Sequence, residues 1–286
     1  MPEALATALL DGELLPLADA RISPLDRGFL YGDSVYEVIP CYDGKLFELP
    51  AHLERLQRSL DATRIERHDS PADWQAALES LVRANGGGNL AVYLQVSRGA
   101  DQGRDHRFPI GVSPTVFGMC MPLLPVDPTL GLAAVTTEDL RWHRNDIKAT
   151  SLLGNVLARQ LAAERGADEA ILLRDGLAIE ASTSNLFVVS NGEVSTPPLA
   201  PTILGGITRQ VILKLLDRLE IHWQETHISE TDLRDADEIW LASSTRETRA
   251  VTLLDEEPVG SGRPGALWQR LFAAFQDYKA ESLDTR

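Results

Sequence analysis

The chain has 286 residues, of which 44% are hydrophobic, and it carries a formal net charge of −15 at pH 7. These values indicate a globular protein of one large or two medium domains, since a disordered chain would be less apolar. The negative charge argues against nucleic acid or an anionic membrane as a partner, because both bind basic surfaces. No run of about 18 apolar residues occurs, so we expect no transmembrane helix.

Two cysteines, Cys41 and Cys120, are too few for a disulfide framework or a cysteine-based metal site. We therefore expect a cytoplasmic protein that needs no metal. The N-terminal segment has acidic residues within its apolar stretch and no basic region, so we do not expect a signal peptide.

Turn sequences and alternating apolar residues predict strands and two helices in the first half of the chain. Hairpins are expected around the Asp-Gly turns at 11–12 and 43–44. Alternation along the strand between these turns places Tyr36 and Glu37 on opposite faces. A helix with a leucine stripe follows, and Arg55 lies outside that stripe.

Composition changes along the chain suggest two domains. Residues 1–120 form a small N-terminal α/β domain in this interpretation, and residues 130–286 form a larger C-terminal domain that contains Lys148. Residues 121–129 include three prolines, which is typical of an interdomain linker.

Lys148 is the first candidate for chemistry. It ends an extended run, directly before the apolar positions change to helical spacing, and the predicted helix ends near Gly166. One face of that helix is marked by Leu152, Leu153, Val156, Leu157 and Leu161. A lysine amine can lose its proton and condense with a carbonyl, which arginine cannot do. The alternative is a solvated lysine at a strand end.

Glu180 lies in the sequence IEASTSN, just after an apolar strand. A carboxylate there could bind a protonated ring nitrogen, and the small residues after it would let a flat ligand approach the backbone. The alternative is an exposed acid on an edge strand.

Two further segments offer groups for a phosphate. The glycines at 205–206 lead into a helix, and the free N–H groups of a helix N-terminus beside a hydroxyl commonly bind phosphate. The alternative is an ordinary helix N-cap by Thr208. Ser243, Ser244 and Thr245 add hydroxyl groups at the end of the strand EIWLA, although they could equally form a polar turn.

Taken together, six segments resemble the fold type IV pyridoxal-phosphate enzymes, a class that includes D-amino-acid and branched-chain aminotransferases. The segments are DRGFLYGDSVYEV, HLERL, RWHRNDIKATSLLGNVLA, EASTSNLF, LGGITR and LASSTRE. The resemblance covers nearly the whole chain. It implies a two-domain α/β (mixed α+β) fold with the cofactor between the domains, and a homodimer.

The resemblance also implies roles for individual residues. Lys148 would carry pyridoxal 5'-phosphate as a Schiff base and act as the catalytic acid and base. Glu180 would pair with the pyridine nitrogen. Other cofactor-binding residues would be Arg55, Thr183, Ser184, Ile207, Thr208, Ser243 and Ser244. Asp146, two residues before Lys148, could tune the charge of the lysine.

Arg104 and His106 favour one member of this family. Two residues apart in an extended loop, they can point the same way and bind a carboxylate, with Tyr36 as a phenol donor. This set resembles the α-carboxylate site of D-amino-acid aminotransferases and predicts transfer between D-amino acids and 2-oxo acids. Three residues depart from the pattern of those enzymes, which bears on substrate range: Ser34, Thr183 and Ser244.

Other functions remain open on the same scaffold. They are a branched-chain L-amino-acid aminotransferase, an (R)-amine transaminase and an aminodeoxychorismate lyase. A protein without catalytic activity is a further alternative, although it would have no need of both Lys148 and Glu180.

Overall fold

The computed structural model describes residues 3–125, 127 and 129–284. They divide into two compact units. The first unit contains residues 3–125 together with Ile147–Ser151, and the second contains the described residues of 127–146 together with 152–284. The mixed α+β fold class predicted from the sequence is confirmed.

The described part of the first unit contains one six-stranded sheet. Its strands are β1 (Thr7–Leu10), β2 (Glu13–Pro16), β3 (Ser34–Tyr42), β4 (Lys45–Leu46), β5 (Leu90–Ser97) and β6 (Thr115–Pro122). Their order is β2-β1-β6-β5-β3-β4, and every pair of neighbours is antiparallel. The helices are α1 (Arg27–Tyr31), α2 (Leu49–Thr63) and α3 (Pro71–Ala84), with a short 3-10 turn at Leu17–Asp19.

The predicted hairpins of this unit are confirmed. Asp11 and Gly12 both have positive φ angles, +50° and +91°, which the tight turn between β1 and β2 requires. Ser70 begins α3 with a reciprocal capping box to Asp73, in which each side chain accepts from the backbone N–H of the other. Helices α2 and α3 bury leucines in the same core as the strands, among them Leu56, Leu60, Leu78 and Leu81.

Ile147–Ser151 joins the first unit because its backbone pairs with β3. The N–H of Tyr36 donates to the carbonyl of Lys148 at 2.9 Å, and the N–H of Thr150 donates to the carbonyl of Ser34 at 3.0 Å. The sequence-based division instead placed residues 130–286 together. Lys148 also follows a turn and does not end a strand.

The described part of the second unit contains a ten-stranded sheet. Its strands are β7 (Leu132–Glu138), β8 (Glu169–Arg174), β9 (Leu177–Ala181), β10 (Asn185–Ser190), β11 (Glu193–Thr196), β12 (Trp223–Glu225), β13 (Ile228–Ser229), β14 (Glu238–Ser243), β15 (Glu247–Leu254) and β16 (Glu257–Pro258). The order is β12-β11-β10-β14-β15-β7-β8-β9-β13, and β16 pairs with β15. The helices are α4 (Leu153–Glu164), α5 (Ile207–Arg218), α6 (Glu230–Arg234) and α7 (Ala266–Asp284).

Helix α4 confirms the predicted helix. However, the helix does not pack against the sheet through the apolar face that the leucines mark. Leu153, Val156 and Leu157 are 70%, 58% and 56% exposed, whereas Ala158 and Ala162 are buried against β7 and β8. Small alanine side chains let the helix approach the sheet closely, so the leucine stripe is left at the surface.

The predicted linker at 121–129 overlaps β6, which continues to Pro122. Val126 and Pro128 of that linker lie outside the described residues, as do Met1, Pro2, Thr285 and Arg286 at the ends of the predicted domains. The domain boundaries therefore stay a prediction. Among the helices that the structure describes, none combines the length and apolarity needed to cross a membrane.

The two cysteines allow a direct test of how the hydrophobic core of the first unit is packed. Cys41 and Cys120 are fully buried and not disulfide-bonded, and burial raises the pKa of the Cys41 thiol to about 11 and that of Cys120 to about 12. Since the thiolate is the reactive form, we expect neither thiol to react with an aromatic disulfide reagent at pH 8. Both should react once the protein is unfolded in urea. Rapid labelling of the native protein would contradict this packing.

Candidate functional site

Lys148 lies beside an aromatic ring in the first unit. Its Nζ atom is 4.3 Å from the centroid of the Tyr36 ring, and the Tyr93 ring stacks on that of Tyr36 at 5.7 Å. The backbone N–H of Lys148 donates to Ser59 Oγ at 3.2 Å, which fixes the chain at this point. No described carboxylate lies within ion-pair distance of Nζ, so the half-buried amine is not tied to an acid and can serve as a nucleophile.

Glu37 organises the opposite face of β3. Its carboxylate is completely buried and accepts two hydrogen bonds from Arg55, at 2.8 and 2.7 Å, and it lies 2.8 Å from His52 Nδ1. Burial disfavours the charge, but Arg55 and His52 together hold the pKa of Glu37 well below its ordinary range. Burial also lowers the pKa of His52. Arg55 lies outside the leucine stripe of α2, as expected. It is nevertheless buried, and its bonds with Glu37 hold it in one orientation.

Arg104 and His106 come together on a third ring, that of Tyr31. The Arg104 guanidinium carbon is 5.2 Å from the Tyr31 ring centroid, and the His106 and Tyr31 ring centroids are 5.2 Å apart. Both side chains are exposed. The structure places neither of them in hydrogen-bond or ring contact with Tyr36, within the residues it describes.

In the second unit, Glu180 is a buried acid and not an exposed one. It is 5% exposed, and its Oε1 atom accepts from Arg141 Nη1 at 2.5 Å. Arg141 also binds Asp139, whose carboxylate accepts from Arg174 as well. Burial raises the pKa of Glu180 while Arg141 opposes that rise, so Arg141 is what favours the ionised carboxylate.

Asn185 connects Glu180 with the start of α5. Its side-chain N–H groups donate to the Leu204 carbonyl at 2.8 Å and weakly to Glu180 Oε2 at 3.4 Å. The N–H of Leu204 also donates to Glu180 Oε2 at 3.3 Å. These contacts on Oε2 are long, so this oxygen keeps capacity for a stronger donor.

The N-terminus of α5 has the features of an anion site. Gly206 is the N-cap, and no side chain caps the first turn. A Cβ atom at Gly206 would lie 2.0 Å from Asn185 Oδ1, so a larger residue would displace the asparagine side chain from its contacts. Ile207 and Thr208 follow inside the helix and are buried. The alternative of an N-cap by Thr208 was therefore wrong.

Glu169 joins two of the predicted segments. This fully buried acid accepts from the hydroxyl groups of Ser182 and Thr183, and Arg246 approaches it at 3.6 Å. Arg246 belongs to the turn between β14 and β15 that also contains Ser244. The small-residue segment after β9 and the Ser243–Ser244 turn are thus held together at one carboxylate. Ser184, in the same small-residue segment, is buried.

Sequence reasoning missed several of these residues. Arg141 and Asn185 lie within the quoted segments RWHRNDIKATSLLGNVLA and EASTSNLF, yet only their contacts reveal a role. His52 begins the quoted segment HLERL, but only its contact with Glu37 reveals a role, and Glu169 carried no sequence signal beyond its position in an apolar strand.

Asp146 was expected to tune the charge of Lys148. Its exposed carboxylate is instead bound by Arg144 at 2.9 Å. The suggestion that Asp146 acts on the lysine therefore finds no support.

The Glu37 pair makes a prediction about stability and pH. Glu37→Gln removes the buried negative charge that Arg55 and His52 share, so the free energy of unfolding at pH 7 should fall by about 3–5 kcal/mol. Because the folded pKa is depressed, the ionised Glu37 stabilises the native state above its ordinary pKa of 4.5, and this stabilisation is lost as the pH falls below that value. Urea unfolding from pH 3 to pH 7 should show a weaker acid dependence in the variant.

The matched control is Glu54→Gln on the same helix, since Glu54 is exposed. It should change stability by less than about 0.5 kcal/mol. Equal stability of wild type and Glu37→Gln at pH 7 would contradict a stabilising role for the buried pair.

Sequence comparison places this chain among transaminating enzymes. A family model described as amino-transferase class IV matches residues 34–254. The D-alanine aminotransferase of Bacillus licheniformis is 37% identical over 271 residues, covering 94% of this chain and 95% of that protein. The D-alanine aminotransferase of Staphylococcus aureus strain MW2 is 37% identical over 272 residues, covering 94% and 96%.

Solved structures agree at the level of the scaffold. The Escherichia coli branched-chain amino acid aminotransferase superposes with a TM-score of 0.90 and 28% identity, covering 96% of this chain and 94% of that one. A branched-chain amino acid aminotransferase from T.th., complexed with N-(5'-phosphopyridoxyl)-L-glutamate, gives a TM-score of 0.89 and 25% identity, covering 97% and 94%.

Proposed function

This chain belongs to the amino-transferase class IV family and is an aminotransferase, and we propose that it moves amino groups between D-amino acids and 2-oxo acids with pyridoxal 5'-phosphate as cofactor. The observation that carries the proposal is the Arg104–His106 pair on the Tyr31 ring, which offers a guanidinium and an imidazole to a carboxylate. The D-alanine aminotransferases that are 37% identical over nearly the full chain support the same substrate class.

The residues present fit this cofactor. Its aldehyde requires a lysine amine, and Lys148 has one that no described carboxylate holds. Its ring nitrogen requires an acid, and Glu180 is a buried carboxylate with an underused oxygen. Its phosphate requires N–H donors, and the α5 N-terminus behind Gly206 presents them without a side-chain cap.

We assign the cofactor contacts accordingly. Lys148 would hold the cofactor covalently, and Glu180 would bind its ring nitrogen. The other contacts with the cofactor, most of them with its phosphate, are assigned to seven residues: Arg55, Thr183, Ser184, Ile207, Thr208, Ser243 and Ser244. Asn185 and Glu169 support this set, because they hold the loops that present it.

The roles of the protein groups follow from their surroundings. When bound, the cofactor supplies an electron sink that acidifies the substrate Cα–H. Once the substrate amine has replaced it on the cofactor, the freed Lys148 amine would take that proton as general base and return it as general acid. Glu180 keeps the ring nitrogen protonated, and it can do so only as an anion. Arg141 favours that anion against burial, so it acts on the reaction through Glu180.

Substrate recognition is assigned to Arg104, His106 and Tyr36. The exposed Arg104 and His106 side chains can bind a carboxylate without first breaking an ion pair, and the Tyr36 ring lies beside the reactive lysine. A D-amino acid would be held by its α-carboxylate in this arrangement.

Two further parts of the proposal concern the protein as a whole. We propose a homodimer, which the surface-exposed apolar side chains of Leu153, Val156 and Leu157 support. We also propose a cytoplasmic location, which the two reduced, buried cysteines support.

The test of the function is an absorbance titration of the purified holoenzyme with D-alanine and, separately, with L-leucine. D-Alanine should remove the absorbance band of the lysine-bound cofactor and release stoichiometric pyruvate, while L-leucine should leave the band unchanged. Lys148→Ala is the control, which should show neither the band nor transamination. Bleaching by L-leucine alone would move the enzyme to the branched-chain class, and no conversion with any amino acid would favour a lyase.

The carboxylate site has its own test. Arg104→Ala should raise KM for D-alanine about 10- to 100-fold with the cofactor still bound, because the substrate carboxylate loses its charged partner. Steady-state kinetics and the cofactor absorbance measure the two effects separately. Arg107→Ala is the matched control, since Arg107 is an exposed arginine of the same loop bound to Asp105. Unchanged KM in Arg104→Ala would overturn the assignment of this residue.

A further inference from the structure

Tyr31 is the common contact of the side chains assigned to the substrate carboxylate. It ends α1, and its ring meets Arg104 at 5.2 Å and His106 at 5.2 Å, with the rings of Tyr31 and His106 tilted by 53°. A third residue, Arg27, lies over the same ring at 4.6 Å. The Tyr31 hydroxyl is buried without a hydrogen-bond partner in the part of the chain that the structure describes. The contacts with Arg104, His106 and Arg27 are therefore made by the ring and not by the hydroxyl.

Arg27 connects this ring to the backbone of the loop. It is 3% exposed and donates through Nη1 to the carbonyl of Asp105 at 2.6 Å, and more weakly through Nη2 to the carbonyl of His106 at 3.4 Å. Its Nε donates to Asp33 at 2.8 Å. The loop between Arg104 and His106 is therefore attached to a buried arginine that is ion-paired with Asp33.

A second arginine holds the loop one step further on. Arg98 shares the Asp33 carboxylate with Arg27, through bonds of 2.8 and 2.9 Å. Its guanidinium carbon lies 3.7 Å from the centroid of the Phe108 ring, and its other N–H groups donate to backbone carbonyls at the end of α2. The loop is thus held before His106 at the Asp105 carbonyl and after it at the Phe108 ring.

The side chain of Arg104 has only the ring to hold it. Among the described residues it has neither a hydrogen bond nor a carboxylate partner, and it is exposed. A freely rotating arginine side chain loses conformational entropy when it binds a ligand. A cation–π contact already restricts the side chain before binding, so less entropy is lost on binding. The N–H groups of Arg104 remain available, because a ring face occupies none of them.

We propose that Tyr31 is a positioning residue, whose ring holds Arg104 and His106 in the orientation that binds the substrate carboxylate. This inference rests on the proposed function. Tyr31 does not touch the reacting atoms and acts through the two side chains that lie on its ring. Arg27 fixes the backbone between those two side chains.

The experiment compares Tyr31→Leu, which removes the ring, with Tyr31→Phe, which removes only the unpaired hydroxyl. Tyr31→Leu should raise KM for D-alanine about tenfold and change kcat less than about twofold, since only carboxylate binding is affected. Tyr31→Phe should resemble wild type. Equal losses in Tyr31→Leu and Tyr31→Phe would overturn the role of the ring.

A mutant cycle tests whether Tyr31 acts through its neighbours. In an Arg104→Ala/His106→Ala background, adding Tyr31→Leu should raise KM no further, because nothing remains for the ring to position. A full additional tenfold rise would show that Tyr31 acts independently and would overturn the inference. Tyr278→Leu is the matched control, since Tyr278 also lies under an arginine, Arg218, at 5.2 Å in the second unit.

A measurement without substrate separates positioning from general loss of structure. Hydrogen exchange of the cofactor-loaded enzyme should become faster in residues 100–111 of Tyr31→Leu and stay unchanged in β3 and β5. Faster exchange throughout the first unit would point to a purely structural role and overturn the inference. If Tyr31→Leu does not fold, Tyr31→Met serves the same comparison.

The outcomes also separate this inference from the proposed function. If Arg104→Ala/His106→Ala leaves KM for D-alanine unchanged, the carboxylate site itself is wrong. If that double variant raises KM but Tyr31→Leu does not, only the role of Tyr31 is wrong.

Discussion

Ion pairs of arginine and carboxylate with little solvent exposure underlie the candidate site. Three such pairs recur: Glu37 with Arg55, Asp33 with Arg27, and Glu180 with Arg141. An unpaired buried charge is strongly destabilising, so each pair fixes the elements that carry its members. The loops that would meet cofactor and substrate are attached to these pairs, which gives exposed or half-buried side chains a rigid base.

Backbone pairing provides the second constraint. Ile147–Ser151 adds to the edge of β3 through the Tyr36 and Thr150 amides, although the chain on either side of it belongs to the other unit. The amine of Lys148 is consequently placed against the Tyr36 ring by main-chain hydrogen bonds. A lysine held in this way needs no ion pair to keep its position, so its amine stays available for chemistry.

Local sequence signals predicted most elements correctly, because their causes are local. Asp-Gly turns require positive φ, and Ser70 caps the helix that follows it. Helix α4 shows where this reasoning ends. Periodicity predicted the helix, but it does not show whether an apolar stripe faces the core of its own chain. In α4 the residues that face the sheet are Ala158 and Ala162.

By itself, the sequence determined the mixed α+β fold class, the family resemblance and the positions of Lys148, Glu180 and the glycines before α5. Those depend on residue types at fixed spacing, which can be read along the chain. The tertiary structure decided which partners these residues meet. The decisive contacts join segments far apart in sequence: Arg141 beside Glu180, Glu169 between two loops, and Tyr31 beneath Arg104 and His106. Only folding brings such groups within hydrogen-bonding or ring-contact distance.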